Sequence, residues 1–228
     1  MTGMSGDEGP ELGPSVLLHA EVYRTLRWRL ATGKIAPGVG LSTRNLAEEL
    51  GVSQMPVREA LGRLSAEGAI EIRSRRKIII TPMTPERFVE LLRCRLLLEP
   101  ELAKCALARI DGPRCQYLRE ADARVKAALL RGDYDGCREA NYDFHFALYR
   151  AHRETTLSRL VEILWLQFGP YSRLVSEGSV EIRKGHHDLA IAAIERRDEA
   201  ALAVAIQRDI EEGMGLIGRC LQDEAQSY

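Results

Sequence analysis

One stretch decides how the first third of this sequence folds: Val52-Ser53-Gln54-Met55-Pro56-Val57-Arg58-Glu59-Ala60-Leu61. It follows Leu46-Ala47-Glu48-Glu49-Leu50-Gly51. The pattern predicts a helix that ends at Leu50, a left-handed turn at Gly51 and a second helix capped by Ser53. Pro56 is compatible with the second helix because it falls in the first turn, where backbone N–H groups have no intrahelical partner. This helix-turn-helix would present the start of its second helix, with Arg58, to a groove of DNA.

The flanking segments extend this unit to a winged helix-turn-helix over residues 17–82. Apolar residues four positions apart predict a first helix from Leu18 to Thr32. The β-prone runs 70–72 and 78–80 flank a short polar connection and predict a hairpin. Three helices followed by a hairpin make the winged form of the motif.

A change of composition at Pro82 and Pro85 predicts a second domain over residues 83–228. Turn signals divide this part into about six helical segments with almost no strand pattern, which predicts an antiparallel bundle. Gly169-Pro170 falls inside the fourth helix and predicts a kink or a break there. The fold class is therefore mostly α, with an amino-terminal winged helix-turn-helix and a carboxy-terminal antiparallel all-helical bundle.

Composition and charge narrow the function class. Hydrophobic residues make up 45% and charged residues 29%, and no apolar run approaches the roughly 20 residues of a membrane helix. Residues 17–82 carry eleven Lys and Arg against six Asp and Glu, whereas the whole chain has a net charge of −1. Only residues 17–82 are thus expected to bind a polyanion.

Two further features concern the compartment and the amino terminus. The five cysteines form no C-x-x-C pair, and their odd number favours reduced thiols and a cytoplasmic location. Residues 1–16 are rich in Gly and acidic side chains and lack the apolar core of a signal peptide, so we expect a disordered leader.

Two groups of side chains in the front domain are candidate DNA contacts. Those near the second helix suit base edges, since Arg can bond bidentately to guanine and Gln to adenine: Arg44, Ser53, Gln54 and Arg58. Those in the hairpin suit phosphate or the minor groove: Arg73, Arg75, Arg76 and Lys77. The alternative for each is an ordinary solvated surface residue.

The front domain resembles the winged-helix head of the GntR family of bacterial transcription regulators. The matching residues, spread in order over about 35 positions, are Ile35-Ala36-Pro37-Gly38, Leu46-Ala47, Leu50-Gly51-Val52-Ser53, Pro56-Val57-Arg58-Glu59-Ala60-Leu61, Leu64 and Glu67-Gly68. The connection Ser74-Arg75-Arg76-Lys77 departs from the family, whose wing usually carries a glycine pair. The resemblance implies a regulator that binds double-stranded DNA at a palindromic operator as a homodimer, by default a repressor.

The second domain contains residues suited to a metal. Asn141 and His145 lie four apart on one helical face, and His186-His187 and Asp209 lie on later helices that can be neighbours in a bundle. Imidazoles and a carboxylate that converge between helices form a divalent-metal site. The alternative is a hydrogen-bonded core histidine and a solvated histidine pair.

This domain is similar to the FCD effector domain of the FadR-like branch of the GntR family. The similarity is carried by Arg95-x-x-x-Glu99, by Asn141-x-x-Phe144-His145 and by the run from His187 to Asp198. It implies a divalent ion of the Zn, Ni or Mn type that helps to bind a small carboxylate effector. Carried over, the metal ligands are Asn141, His145, His187 and Asp209, with Asn141 in place of the usual Asp and Asp209 in place of the last His.

Three further residues are candidate effector contacts: Arg95, Glu99 and Arg173. A guanidinium suits a carboxylate bidentately, so Arg95 could hold the effector, or it could form a plain i,i+4 ion pair with Glu99. Arg173 lies just after the predicted kink and is either a second pocket residue or a solvated one.

Two other function classes compete with a ligand-controlled regulator. One is a metal-dependent hydrolase or lyase fused to a DNA anchor, although no nucleophile elbow, phosphate loop or H-E-x-x-H motif is present. The other is an architectural DNA binder without operator preference.

Overall fold

The computed structural model describes residues 14–74, 77–175 and 185–226. Within these ranges the head consists of α1 (Pro14–Ala31), α2 (Thr43–Leu50), α3 (Gln54–Ala66), β1 (Ile70–Ser74) and β2 (Lys77–Ile80). The helical domain consists of α4 (Pro85–Leu107), α5 (Gly112–Leu130), α6 (Tyr134–Tyr149), α7 (Thr156–Phe168), α8 (His186–Glu195) and α9 (Glu199–Gln226). A 3₁₀ helix, Gly169–Leu174, follows α7, and we call it the corner segment. The mostly helical fold class is confirmed.

The helix-turn-helix forms as its sequence pattern predicts. Gly51 has φ +66°, the left-handed conformation that closes a helix, and its N–H bonds back into α2. Val57 and Leu61 of α3 are buried against α1. Ser53 occupies the N-cap position of α3, but its side chain makes no capping hydrogen bond, so the predicted cap interaction is absent.

The wing is a two-stranded antiparallel hairpin. Ile70 pairs with Ile80 and Ile72 pairs with Ile78, and the register shifts between Ile72 and Ser74. The tip residues Arg75 and Arg76 lie outside the described residues, and so do residues 1–13 of the predicted leader. The first helix begins at Pro14 and therefore includes the last three residues assigned to that leader.

The helical domain is a bundle in which α4 and α8 both pack against α9, and α5 packs against α6. Helix α4 continues through Pro100, which is buried inside it. Helix α7 ends at Phe168, and Gly169-Pro170 opens the corner segment, which confirms the predicted break. None of the described helices combines the length and the apolar character that a membrane span requires.

The head sits directly on α7 and the corner segment. A single apolar core runs from Val22, Leu26 and Leu30 of the head into the bundle. A Cβ atom at Gly169 would lie 2.5 Å from the carbonyl oxygen of Leu30 and 2.7 Å from Cα of Ala31, so only glycine permits this approach. Polar contacts add to it at the edge, where Gln167 Nε2 donates to the Glu67 carbonyl at 2.8 Å.

Candidate DNA-reading surface and effector pocket

The start of α3 is exposed and chemically available. Ser53, Gln54 and Arg58 are all exposed. The Arg58 side chain forms no hydrogen bond or ion pair with the part of the chain that the structure describes. The Ser53 hydroxyl is not used for capping. These three side chains therefore lie on one accessible helix start, as the sequence predicts for a reading helix.

The other predicted DNA contacts differ in their present partners. Arg44 is 76% exposed, and its Nε donates to Glu48 at 2.8 Å. Arg73 donates to Glu71 at 2.9 Å, and Lys77 is exposed. An exposed ion pair contributes only about 0–1 kcal/mol, so these pairs can yield to phosphate at little cost. Arg75 and Arg76 lie outside the described residues.

In the helical domain, three helices bring together three of the four predicted metal ligands. His145 comes from α6, His187 from α8 and Asp209 from α9, and one donor atom of each lies within 4.8 Å of the others. Nε2 of His145 is 3.1 Å from Asp209 Oδ2, and Nε2 of His187 is 3.7 Å from Asp209 Oδ1. Two donors on a tetrahedral ion with bonds of about 2.1 Å are about 3.4 Å apart, so the observed separations fit a shared divalent ion.

Hydrogen bonds on the far side of each ring assign the tautomers. Tyr149 O–H donates to Glu99 Oε2 at 2.8 Å, so its oxygen accepts from His145 Nδ1–H at 3.2 Å. His187 Nδ1–H donates to the Asp122 carboxylate at 3.1 Å. Both Nε2 atoms are then lone-pair donors, fully buried and without a hydrogen bond in the described residues. Two lone pairs that face a carboxylate are unfavourable unless a cation lies between them.

Burial keeps His145 in the form that binds metal. Desolvation lowers the pKa of His145 below its usual value, although the nearby Asp209 carboxylate acts in the opposite direction. The imidazole is therefore neutral at neutral pH, which is the form that coordinates metal. Phe144 stacks on the His187 ring at a centroid distance of 3.8 Å and fixes its plane.

Two residues of the donor group, His145 and Asp209, line a cavity of about 90 Å³. Its walls combine charged residues with apolar residues of α7 and α9 and with Ser172 of the corner segment. The lining includes Asn141, the fourth predicted ligand, together with Arg95, Arg138, Glu212 and Ala31. Ala31 belongs to α1 of the head, so one wall of the cavity is part of the head.

Two family models match this chain. Residues 18–80 match the bacterial regulatory proteins of the gntR family, and residues 90–212 match the FCD domain. The chain belongs to the GntR family. It is thus a transcription regulator with an FCD effector-binding domain, rather than an enzyme.

Two relatives and one solved structure illustrate the family. Over 203 residues the chain is 29% identical to the HTH-type transcriptional regulator McbR of Escherichia coli K12, covering 86% of this chain and 92% of McbR. It is 26% identical over 199 residues to the gluconate operon transcriptional repressor of Bacillus subtilis 168, covering 82% and 79%. The solved structure of E. coli McbR/YncC has a TM-score of 0.82 at 24% identity and covers 89% of this chain and 97% of that chain, which shows the fold.

In this GntR-family chain, Arg95 lies at the cavity but Glu99 does not. Arg95 donates through Nε and Nη2 to Glu99, whose Oε2 also accepts from Tyr149 and from Trp165 Nε1 at 3.1 Å. The guanidinium packs on Phe168 at 3.8 Å, and Nη1 forms no hydrogen bond with the described residues. Glu99 is completely buried, does not line the cavity and holds Arg95 in place, so its effector contact stays a prediction without support from the geometry.

Arg173 is also placed elsewhere than predicted. It is not in the cavity lining, and its Nη1 donates to the Gly33 carbonyl at 3.3 Å and to Asp135 Oδ1 at 3.1 Å. Arg173 therefore ties the corner segment to the head. The physical reason is the tight 3₁₀ turn, which directs this side chain toward the loop after α1.

Two residues near the site were not among the sequence candidates. Asp122 on α5 is 6% exposed and holds His187, while Lys126 pairs with its other oxygen. Burial acts to raise the pKa of Asp122, but hydrogen bonds from His187 and Lys126 outweigh it and lower that pKa. The sequence feature that could have identified Asp122 is its acidic side chain within the apolar stripe formed by Leu118, Ala121 and Val125. The second residue is Arg138, which lines the cavity, and no comparable sequence feature identifies it.

Proposed function

We propose that this GntR-family regulator is a ligand-released repressor whose helical domain binds a small carboxylate through a divalent metal. The observation that carries the proposal is the cavity itself. It combines two of the three metal donors with Arg95, whose Nη1 atom has no hydrogen bond to the described residues, and with Ala31 of the head. A repressor is supported by one relative, which is named the gluconate operon transcriptional repressor.

The metal ion and Arg95 would both contact the carboxylate of the effector. His145, His187 and Asp209 would hold the ion, with Asn141 beside them on the cavity wall. A bound divalent ion supplies positive charge to which a carboxylate oxygen can coordinate. Arg95 adds a directed N–H donor on a guanidinium fixed by Glu99 and Phe168.

The cavity wall would couple effector binding to DNA binding, because part of this wall belongs to the head. Ala31 and the corner-segment residue Ser172 both line the cavity, and Gly169 touches the backbone of α1 without room for a side chain. A ligand that fits only one placement of the corner segment would favour one placement of the head. That differential affinity between two states is what regulation by a ligand requires.

We propose that the working form is a cytoplasmic homodimer on a palindromic operator. A dimer presents two reading helices, and a two-fold axis matches half-sites about 34–36 Å apart on one face of the duplex. The exposed Ser53, Gln54 and Arg58 would contact bases, and Lys77 and the wing would contact phosphate.

Two experiments test this proposal. Selection of bound sequences from a random DNA pool should return one dominant palindrome, and a collection without a common motif would instead indicate an architectural binder. Metal analysis of chelator-stripped protein reloaded with Ni²⁺ should give one ion per chain, and His145→Ala should lose it. His152→Ala is the matched control because His152 is partly exposed and lies outside the donor group. An unchanged metal content in His145→Ala would refute the metal site.

A thermal-shift screen tests the effector class. Sugar acids, dicarboxylates, amino acids and short fatty acids should be compared with and without Ni²⁺, followed by operator release in a mobility-shift assay. A stabilising compound that also releases DNA and is not consumed supports a ligand-released repressor. Stabilisation that leaves operator binding unchanged would contradict the proposed control.

A further inference from the structure

A second arginine of the cavity, Arg138, has an unmet hydrogen-bonding requirement. Arg138 lies in the first half of α6 and lines the cavity, and its side chain is 11% exposed. Its Nε atom is completely buried and has no hydrogen-bond partner in the described part of the chain. A buried donor without an acceptor is unfavourable, and more so when it is charged, because its hydrogen bonds to water have not been replaced. The cavity is the place from which an acceptor can reach this atom.

The neighbouring charges do not supply that acceptor. Asp135 pairs with Nη2 of Arg138, but it is 53% exposed and is shared with Arg173. Glu212, on the opposite wall, accepts from His186 Nε2 at 2.8 Å. Asp209 faces the two imidazoles of the donor group. None of these carboxylates is hydrogen-bonded to Nε of Arg138 in the described residues.

The position of Arg138 on α6 separates it from the metal donors. Arg138, Asn141 and His145 follow one another at spacings of three and four, which places them along one helical face. With a rise of about 1.5 Å per residue, the Cα atoms of Arg138 and His145 lie about 10 Å apart along the helix. A ligand that contacts both ends therefore needs an acidic group at each end of a short carbon chain.

We propose that Arg138 binds a second anionic group of the effector, so that the pocket selects dicarboxylates over monocarboxylates. This inference rests on the proposed function, since it places the first carboxylate at the metal and Arg95. Nε of Arg138 donates to one oxygen of the distal carboxylate while Nη2 stays on Asp135. Charge-assisted hydrogen bonds of this kind are about twice as strong as neutral ones, so we expect a preference of about tenfold or more.

Succinate and butyrate form the matched pair of probes, because they share four carbons and differ in one terminal carboxylate. Calorimetric titration of the full-length, Ni²⁺-loaded protein should show succinate binding about tenfold or more tightly than butyrate. In Arg138→Gln the preference should disappear, because succinate weakens while butyrate changes by less than about twofold. Arg131→Gln, at a position 64% exposed and outside the cavity, should leave both affinities unchanged.

A second variant separates a ligand contact from a structural role. Asp135→Asn removes the charge that Arg138 now shares, so it should maintain or increase the preference for succinate. If Arg138 served only to hold the fold, both variants would weaken both compounds together, and that result would overturn the inference. Equal affinities of wild-type protein for the two probes would also overturn it. Failure of both probes to bind wild-type protein would refute the carboxylate pocket and, with it, the role of Arg138.

Discussion

Asp122→Asn is the substitution that most directly tests how the metal donors are organised. Asp122 lies on α5, outside the donor group; one of its carboxylate oxygens accepts from His187 Nδ1–H and the other pairs with Lys126. Asn keeps the size of the side chain and removes its charge. If the amide turns its NH₂ toward the ring, His187 must carry its proton on Nε2, and that nitrogen can no longer coordinate metal.

The size of the effect follows from this single bond. A hydrogen bond to a charged group contributes about 1.5–3 kcal/mol and a neutral one about 0.5–1.5 kcal/mol. The difference of roughly 1–2 kcal/mol corresponds to a loss of roughly tenfold in metal affinity, within the 10–100-fold range for such outer partners. Asp122 is buried beside His187, so solvent screening reduces this figure only slightly.

Calorimetric titration of Ni²⁺ into chelator-stripped protein measures the loss. Asp188→Asn is the matched control, because Asp188 also pairs with Lys126 but is 58% exposed and makes no contact with the His187 ring. We expect a tenfold weaker affinity, to within a factor of a few, in Asp122→Asn and less than about a twofold change in Asp188→Asn. An unchanged affinity in Asp122→Asn, or an equal loss in both variants, would refute the assigned tautomer and its role.

Two further predictions concern the head and its contact with the helical domain. Arg58→Ala should weaken binding to the selected operator by about 1–3 kcal/mol and relax base preference at one position, as measured by competition binding at fixed salt, whereas equal losses on random DNA would indicate a phosphate contact instead. Gly169→Ala should destabilise the protein by about 1–3 kcal/mol in thermal unfolding, because the added Cβ would meet the α1 backbone at 2.5 Å. Gly62→Ala, whose Cβ would have no neighbour within 4 Å, should be neutral or stabilising, and a similar loss in both variants would show that the close approach is unimportant.

The head could be predicted almost entirely from its sequence because its information is local. A left-handed glycine, a proline in a first turn and an apolar stripe each determine the conformation of a few adjacent residues. Gly51, Val57 and Leu61 all lie as these patterns require. The missing Ser53 cap bond is the exception. A cap depends on one side-chain rotamer, and a sequence pattern does not determine it.

The pocket could be predicted only in part because its residues come from several helices. Helical spacing placed Asn141 and His145 on one face, but it could not place Asp122 behind His187, sixty-five positions away. Glu99 was assigned to the pocket from the Arg95-x-x-x-Glu99 pattern, and Arg173 from its position just after the predicted kink. Which side of a helix faces a cavity depends on how the bundle packs, and neither residue lines the cavity.

The position of the carboxylate has a consequence for how the site could transmit a signal. Because Asp209 lies on α9 instead of α6, the single acid of the donor group belongs to a helix that packs against both α4 and α8. An ion held by His145, His187 and Asp209 would therefore connect α6, α8 and α9, while Ala31 and the corner segment close the cavity from the side of the head. A ligand between these two groups would contact the metal donors on one side and a wall attached to α1 on the other. Under the proposed function, its binding would displace that wall and, with it, the head that carries the reading helix.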